Sequence, residues 1–123
     1  MKKIKLIIFH PYSYIGGADN SLKRLIEQLD TRLFSITFIS LNESFLKKEL
    51  KKKVKFIRIK SKRAFFSINK FRKIVKNIYI SKNYKKVIVV SNQNFANIIS
   101  FFSLINLKNI KKIFIDRNHL DEL

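Results

Sequence analysis

The chain has 123 residues, no cysteine and a formal net charge of +19, from 27 basic and 8 acidic residues. This length fits one domain with a real hydrophobic core, and the lack of cysteine excludes a disulfide framework and a thiolate metal site. No apolar stretch reaches the roughly 18 to 20 residues that span a bilayer. The apolar run after the basic start ends at His10-Pro11 with no small-residue cleavage site, so it predicts a strand rather than a signal peptide.

The first predicted unit is a strand, a loop and a helix. The strand begins at Ile4 and ends before Pro11, and the loop leads to Gly16-Gly17 and a helix with Asp19 in its first turn. Adjacent glycines let backbone N–H groups approach a phosphate, and a helix N-terminus favours an anion. The segment therefore predicts a phosphate site, although it contains neither G-x-G-x-x-G nor G-x-x-x-x-G-K-[ST]. The alternative is a tight turn in which Asp19 stabilises the helix N-terminus.

Strands and helices alternate along the rest of the chain. The pattern predicts strands over residues 35–41, 54–59, 86–90 and 112–116, and helices over 42–53, 65–82 and 94–107. The third strand alternates apolar and basic residues, which is typical of a sheet edge. This order predicts an α/β fold: one Rossmann-like domain over residues 1–123 with a doubly wound, mostly parallel sheet of about five strands.

Ligands of doubly wound sheets bind beyond the carboxyl ends of the strands. The polar residues that follow predicted strands one, four and five are therefore expected to line one rim. They are His10, Tyr12, Tyr14, Gly16, Gly17, Ser91, Asn92, Gln93, Asp116, Arg117, Asn118 and His119. Together they offer hydrogen bonds to a hydroxylated ligand, cations for phosphate and two imidazoles for proton transfer near neutral pH. Each has a structural alternative, since His10 can simply end a strand and Asn92 can cap a helix.

Two segments resemble family 4 glycosyltransferases of the GT-B fold. Ile15-Gly16-Gly17-Ala18-Asp19, followed by an apolar helix face of Leu22, Leu25, Ile26 and Leu29, is similar to the G-G-A-[ED] turn and amphipathic helix that open that family. Residues 113–119, Ile-Phe-Ile-Asp-Arg-Asn-His, are similar to the polar cluster after its cleft strand. The resemblance covers the whole chain in element order, with specific motifs at its two ends.

The resemblance implies roles for individual residues. Gly16 and Gly17 would bind the donor phosphates, and His119 would be the catalytic cleft histidine, with Arg117 as the other match for that position. The residues that would line the acceptor cleft are His10, Tyr14, Asn92, Gln93 and Arg117.

The implied function is that of the N-terminal, acceptor-side domain of a retaining glycosyltransferase. Such an enzyme moves a sugar from a nucleotide-diphosphate donor to a glycan or lipid-linked acceptor, here in cell-envelope polysaccharide or glycoconjugate synthesis. The nucleotide sugar is the substrate, and neither a cofactor nor a metal is expected. Nothing in the chain corresponds to the second GT-B domain with its E-x7-E segment. We therefore expect a truncated domain, inactive alone and completed by a C-terminal domain in cis or by a partner chain.

The lysine excess has competing interpretations. Nucleic-acid binding is disfavoured because lysine greatly outnumbers the arginine that base-reading surfaces use, which is typical of a composition bias. An anionic membrane surface is a better partner for lysines, and residues 63–86 interleave aromatic and basic side chains. The competing interpretation places Phe71, Ile74 and Ile78 in the core, and the run 47–55 is interpreted as a solvated helix end.

Location and alternative function follow from these interpretations. We expect a cytoplasmic protein, with peripheral attachment at the inner face of the plasma membrane. The alternative function is a basic α/β module that binds nucleic acid or an anionic membrane without catalysis. A receiver domain is disfavoured because His10-Pro11 stands where its acidic pair belongs, and no G-x-S-x-G elbow is present.

Overall fold

The computed structural model describes residues 2–10, 17–42, 44, 46–60, 64–81, 83–92 and 110–115. The strands are β1 (Ile4–Phe9), β2 (Phe34–Ser40), β3 (Val54–Arg58), β4 (Lys86–Asn92) and β5 (Lys111–Ile115). The helices are α1 (Gly17–Gln28), α2 (Lys47–Leu50) and α3 (Ala64–Ile80). No helix in these ranges has the length and apolarity to cross a membrane. The helix predicted over 94–107 lies outside the described residues.

The five strands form one sheet in the order β3-β2-β1-β4-β5, and every neighbouring pair is parallel. The predicted Rossmann-like α/β fold is thereby confirmed, and so is the prediction that the third strand lies at an edge. β2 and β3 lie on one side of β1, whereas β4 and β5 lie on the other. The order of the strands therefore reverses between β1 and β4.

Helices cover both faces of the sheet. Leu22 and Ile26 of α1 and Leu50 of α2 pack on one face, against side chains that include Ile8 and Phe38. On the other face, α3 packs against alternate residues of the same strands. β1 is buried on both faces because successive side chains of a strand point to opposite sides, and it is correspondingly apolar from Leu6 to Phe9.

The stripe of Phe71, Ile74 and Ile78 on α3 belongs to the core. Phe71 is fully buried and stacks on Phe9 with ring centroids 4.3 Å apart. Ile74 and Ile78 are partly buried and pack against the same cluster. The core interpretation of this stripe is confirmed.

Two local predictions were wrong. The helix predicted over 42–53 is limited to α2. Before α2, Ser44 Oγ accepts a hydrogen bond from the Leu46 N–H at 3.2 Å. After α2, the Lys53 N–H donates to the Leu50 carbonyl at 2.9 Å and closes a turn that leads into β3. The predicted apolar face of α1 includes Leu25, which is 41% exposed. Leu22 and Ile26 form the face of α1 that packs on the sheet, and Leu25 lies beside this face, where water reaches it.

Candidate functional site

The reversal of strand order places a crevice beyond the carboxyl ends of β1 and β4. We call this end of the sheet the carboxyl edge. His10 directly follows Phe9, whose partner across the β1·β4 ladder is Ser91. Asn92 is the last residue of β4 and pairs with Ile115 of β5. The structure thus brings His10, Ser91 and Asn92 to one edge, as the sequence predicts.

His10 is held firmly at this edge. Its backbone N–H donates to the Ile39 carbonyl at 3.0 Å, which continues the parallel ladder past the end of β1. Its side chain is fully buried, and its ring meets Phe38 edge-on with centroids 6.0 Å apart. The imidazole therefore lies on the face of the sheet that α1 covers. Ser91, also fully buried, follows Val87 and Val89 on the α3 face.

The start of α1 lies where the phosphate prediction requires a helix N-terminus. Gly17 is the first residue of this helix, and β1 ends at Phe9. In a parallel α/β unit the crossover helix begins near the carboxyl ends of the strands, so its N-terminus and His10 share one end of the sheet. Tyr14, Gly16, Gln93, Arg117 and His119 lie outside the described residues, and their roles stay predictions.

A cavity of about 200 Å³, lined by polar side chains and by Phe56 and Ile57, extends the carboxyl edge toward β3. Its polar lining comes from the ends of β2 and β3 and from the segment that includes α2: Ser40, Asn42, Ser44, Lys47 and Arg58. Arg58 Nε donates to the Leu41 carbonyl at 3.2 Å, and Ser40 Oγ donates to the Asn42 carbonyl at 2.7 Å. These bonds hold the wall while Lys47 and Arg58 supply two positive charges.

The sequence did not lead to a prediction of this cavity. The predicted site comprised residues after strands one, four and five. The residues after strands two and three also lie at the carboxyl ends of the strands. Lys47 was grouped with a solvated charge run, and Arg58 was interpreted only as a residue of an edge strand. Both lie at one cavity because β2 and β3 are neighbours, with Ser40 paired to Arg58.

No group of three or more metal-ligating side chains occurs among the residues that the structure describes. Metal independence stays a prediction. In comparisons with protein-family models, curated proteins and solved structures, nothing matches the chain.

Proposed function

We propose that this chain is the acceptor-side domain of a retaining glycosyltransferase of GT-B type. It would move a sugar from a nucleotide-diphosphate donor to a glycan or lipid-linked acceptor during cell-envelope polysaccharide or glycoconjugate synthesis. The observation that supports this proposal is that a buried histidine, His10, and the first residue of α1 share the carboxyl edge of a parallel sheet with a cavity at the ends of β2 and β3. Ligand sites of doubly wound sheets occupy this position.

The donor diphosphate would lie at the start of α1. The free N–H groups of a helix N-terminus and its partial positive charge favour an anion. Negative charge grows on the diphosphate as the sugar leaves, so the same N–H groups of Gly16 and Gly17 would stabilise the transition state more than the ground state. The reaction would need no metal for this charge stabilisation.

The acceptor would enter from the cavity at the ends of β2 and β3. Lys47 and Arg58 provide cations for a phosphate-linked acceptor, and Ser40, Asn42 and Ser44 provide hydrogen-bonding groups for hydroxyls. His10 would fix the end of β1 at the crevice through its buried ring, which contacts Phe38. His119 keeps the catalytic role in this proposal, with Tyr14, Asn92, Gln93 and Arg117 lining the cleft.

Nucleotide-sugar titration of the ¹⁵N-labelled protein tests the proposal. UDP-glucose and UDP are expected to shift the amide signals of His10, Gly17 and Asn92 at millimolar concentration, whereas UMP, which lacks the diphosphate, should shift them much less. Signals of Lys76 and Asn77 on the exposed side of α3 serve as internal controls. Absence of a saturable shift at the carboxyl edge, or equal effects of UMP and UDP, would contradict the donor role.

The acceptor role needs its own variant. Arg58→Gln should weaken binding of geranyl diphosphate, a soluble probe for a lipid-linked acceptor, by about tenfold, which is the loss of one charge-assisted hydrogen bond. Arg72→Gln on α3 removes the same charge away from the cavity and should change the affinity less than twofold. Equal losses in the two variants would mean that net charge alone drives the binding.

The reading frame provides a further test of the complete enzyme. Sequencing the coding DNA beyond the codon for Leu123 should reveal a continuing frame with a second Rossmann-like pattern and an E-x7-E segment. A stop codon at that point would contradict a donor domain in cis.

A further inference from the structure

The end of the sheet opposite the proposed transferase site carries a second, larger cavity. We call this end the amino edge, because the strands begin there. The cavity has a volume of about 560 Å³, within the range of small-molecule sites. Its cations are Lys3, Lys51, Lys52, Lys53 and Lys55. Thr31 and Ser35 add hydroxyl groups, and no carboxylate lies among its lining residues.

Asp30, which interacts with Lys53 and Lys3, compensates little of this charge. Asp30 accepts hydrogen bonds from Arg32 N–H at 2.8 Å and from Arg32 Nη2 at 3.1 Å. These bonds are the main reason why the pKa of Asp30 lies below its ordinary value, and Lys53 and Lys3 add smaller effects. Lys53 Nζ itself donates to the carbonyl of Glu27 at 3.0 Å. The carboxylate of Asp30 is therefore already bonded to arginine and neutralises little of the lysine charge.

A buried cation stands behind the wall of this cavity. Lys5 on β1 is 5% exposed, and its Nζ donates to Ser35 Oγ at 3.1 Å. The ammonium also lies 5.2 Å from the centroid of the Tyr84 ring. Its two described contacts are thus a hydroxyl and an aromatic face, neither of which carries a negative charge. Ser35 links this cation to the cavity that it lines.

Charge repulsion acts inside this group. Burial and, next, the nearby charge of Lys55 lower the pKa of Lys5 from its ordinary value to about 8. Thr37, two residues after Ser35 on the same face of β2, pairs with Lys55 in the ladder. Its buried Oγ1 has no hydrogen-bond partner in the described part of the chain. The cations at the amino edge therefore repel one another, and Thr37 Oγ1 is a buried hydroxyl farther along β2.

We propose that the cavity at the amino edge binds an anion that carries several phosphate groups, held by Lys3, Lys51, Lys52, Lys53 and Lys55 together with the hydroxyl of Ser35. Lysine binds phosphate as a point charge, and several lysines around one cavity suit a ligand with several charges. The bound anion would offset the repulsion between Lys5 and Lys55. This site is separate from the proposed transferase site, and its test does not depend on that function.

Calorimetric titration with inorganic tripolyphosphate, at physiological ionic strength, tests the proposal. The variant Lys52→Gln/Lys55→Gln removes two exposed lysines of the cavity, and Lys73→Gln/Lys76→Gln removes two exposed lysines of α3 with the same change in net charge. We expect saturable binding to the wild-type protein, at least a tenfold loss of affinity in the cavity variant and less than a twofold loss in the α3 variant. Circular dichroism of all three proteins checks that the fold is retained.

A vesicle-binding experiment distinguishes a lipid headgroup from a soluble ligand as the source of the phosphate. Flotation with phosphatidylcholine vesicles, with and without phosphatidylinositol bisphosphate, whose headgroup carries several phosphates, is compared for the same three proteins. Binding to anionic vesicles that is lost in the cavity variant and competed by tripolyphosphate supports the site and assigns the phosphate to a lipid headgroup. The other supporting result is vesicle binding that is absent, or equal in the cavity variant and the α3 variant, while only the cavity variant loses tripolyphosphate binding. That result supports the site and assigns it to a soluble ligand. Equal loss of tripolyphosphate affinity in the two variants, or no saturable binding, would overturn the proposal.

Discussion

The buried ammonium of Lys5 makes a sharp prediction about stability and pH. Its pKa is about 8 in the folded protein, against an ordinary value of 10.5. Between these values the unfolded chain holds the proton and the folded chain releases it. The unfolded state then binds more protons, so the free energy of unfolding rises with pH across this window. Below about pH 8 the buried charge is a constant cost to the folded state.

The size of the effect follows from the same values. At about 1.4 kcal/mol per pH unit, a fall in pKa from 10.5 to about 8 is worth about 2.5 kcal/mol between about pH 7 and pH 10. Burial is the larger cause of the shift, but part of it comes from the charge of the exposed Lys55, which salt screens, so we expect roughly half of this effect, about 1 kcal/mol. Lys5→Met removes the titrating group and keeps the apolar stem.

Urea unfolding of the wild-type protein and of Lys5→Met, followed by circular dichroism across this pH range, measures the effect. The other lysines and the tyrosines titrate in both proteins, so the difference in unfolding free energy isolates Lys5. Lys5→Met should be more stable than the wild-type protein at neutral pH, and this difference in unfolding free energy should shrink by about 1 kcal/mol toward about pH 10. Lys73→Met, at an exposed position of α3, should show no such trend. A difference for Lys5→Met that stays constant or grows with pH would refute the reasoning.

Four further substitutions test the packing of the core. Phe71→Ala should lower the free energy of unfolding by about 3 to 5 kcal/mol, because the ring is fully buried and stacked on Phe9; a loss below about 1 kcal/mol in urea unfolding would show that α3 does not pack there. Leu22→Ala should cost about 2 to 5 kcal/mol and Leu25→Ala less than about 1 kcal/mol, since the first side chain is buried and the second is 41% exposed; equal losses would contradict the orientation of α1. Thr37→Val should leave stability unchanged or raise it by about 1 kcal/mol, because a buried hydroxyl without a described partner is replaced by a methyl group; a clear fall in the thermal midpoint would mean that Oγ1 has a partner.

Much of the fold was predictable because it depends on short-range patterns. The continuous apolar run of β1 indicates a strand buried on both faces, and the alternation in β3 indicates an edge strand. The helical spacing of Phe71, Ile74 and Ile78 predicts a face of α3 that packs on the sheet. Each of these signals is a periodicity of side chains along one element, which the sequence displays directly.

The candidate site was predictable only in part. The carboxyl-edge rule placed His10, Ser91 and Asn92 together, because the rule needs only the order of elements along the chain. The cavity at Lys47 and Arg58 required knowing that β2 and β3 are neighbours and that Ser40 pairs with Arg58. The length of α2 and the exposure of Leu25 depended likewise on how each helix meets the sheet.

The sequence by itself determined the kind of protein: one cysteine-free α/β chain with a strong positive charge, alternating elements and an apolar first strand. Only the tertiary structure decided which charges meet. Lys5, Ser35 and Lys55 lie on three strands that are far apart along the chain, and each is unremarkable within its own segment. They become neighbours because parallel pairing sets the register of β1, β2 and β3, and such long-range pairing leaves no periodic trace in the sequence.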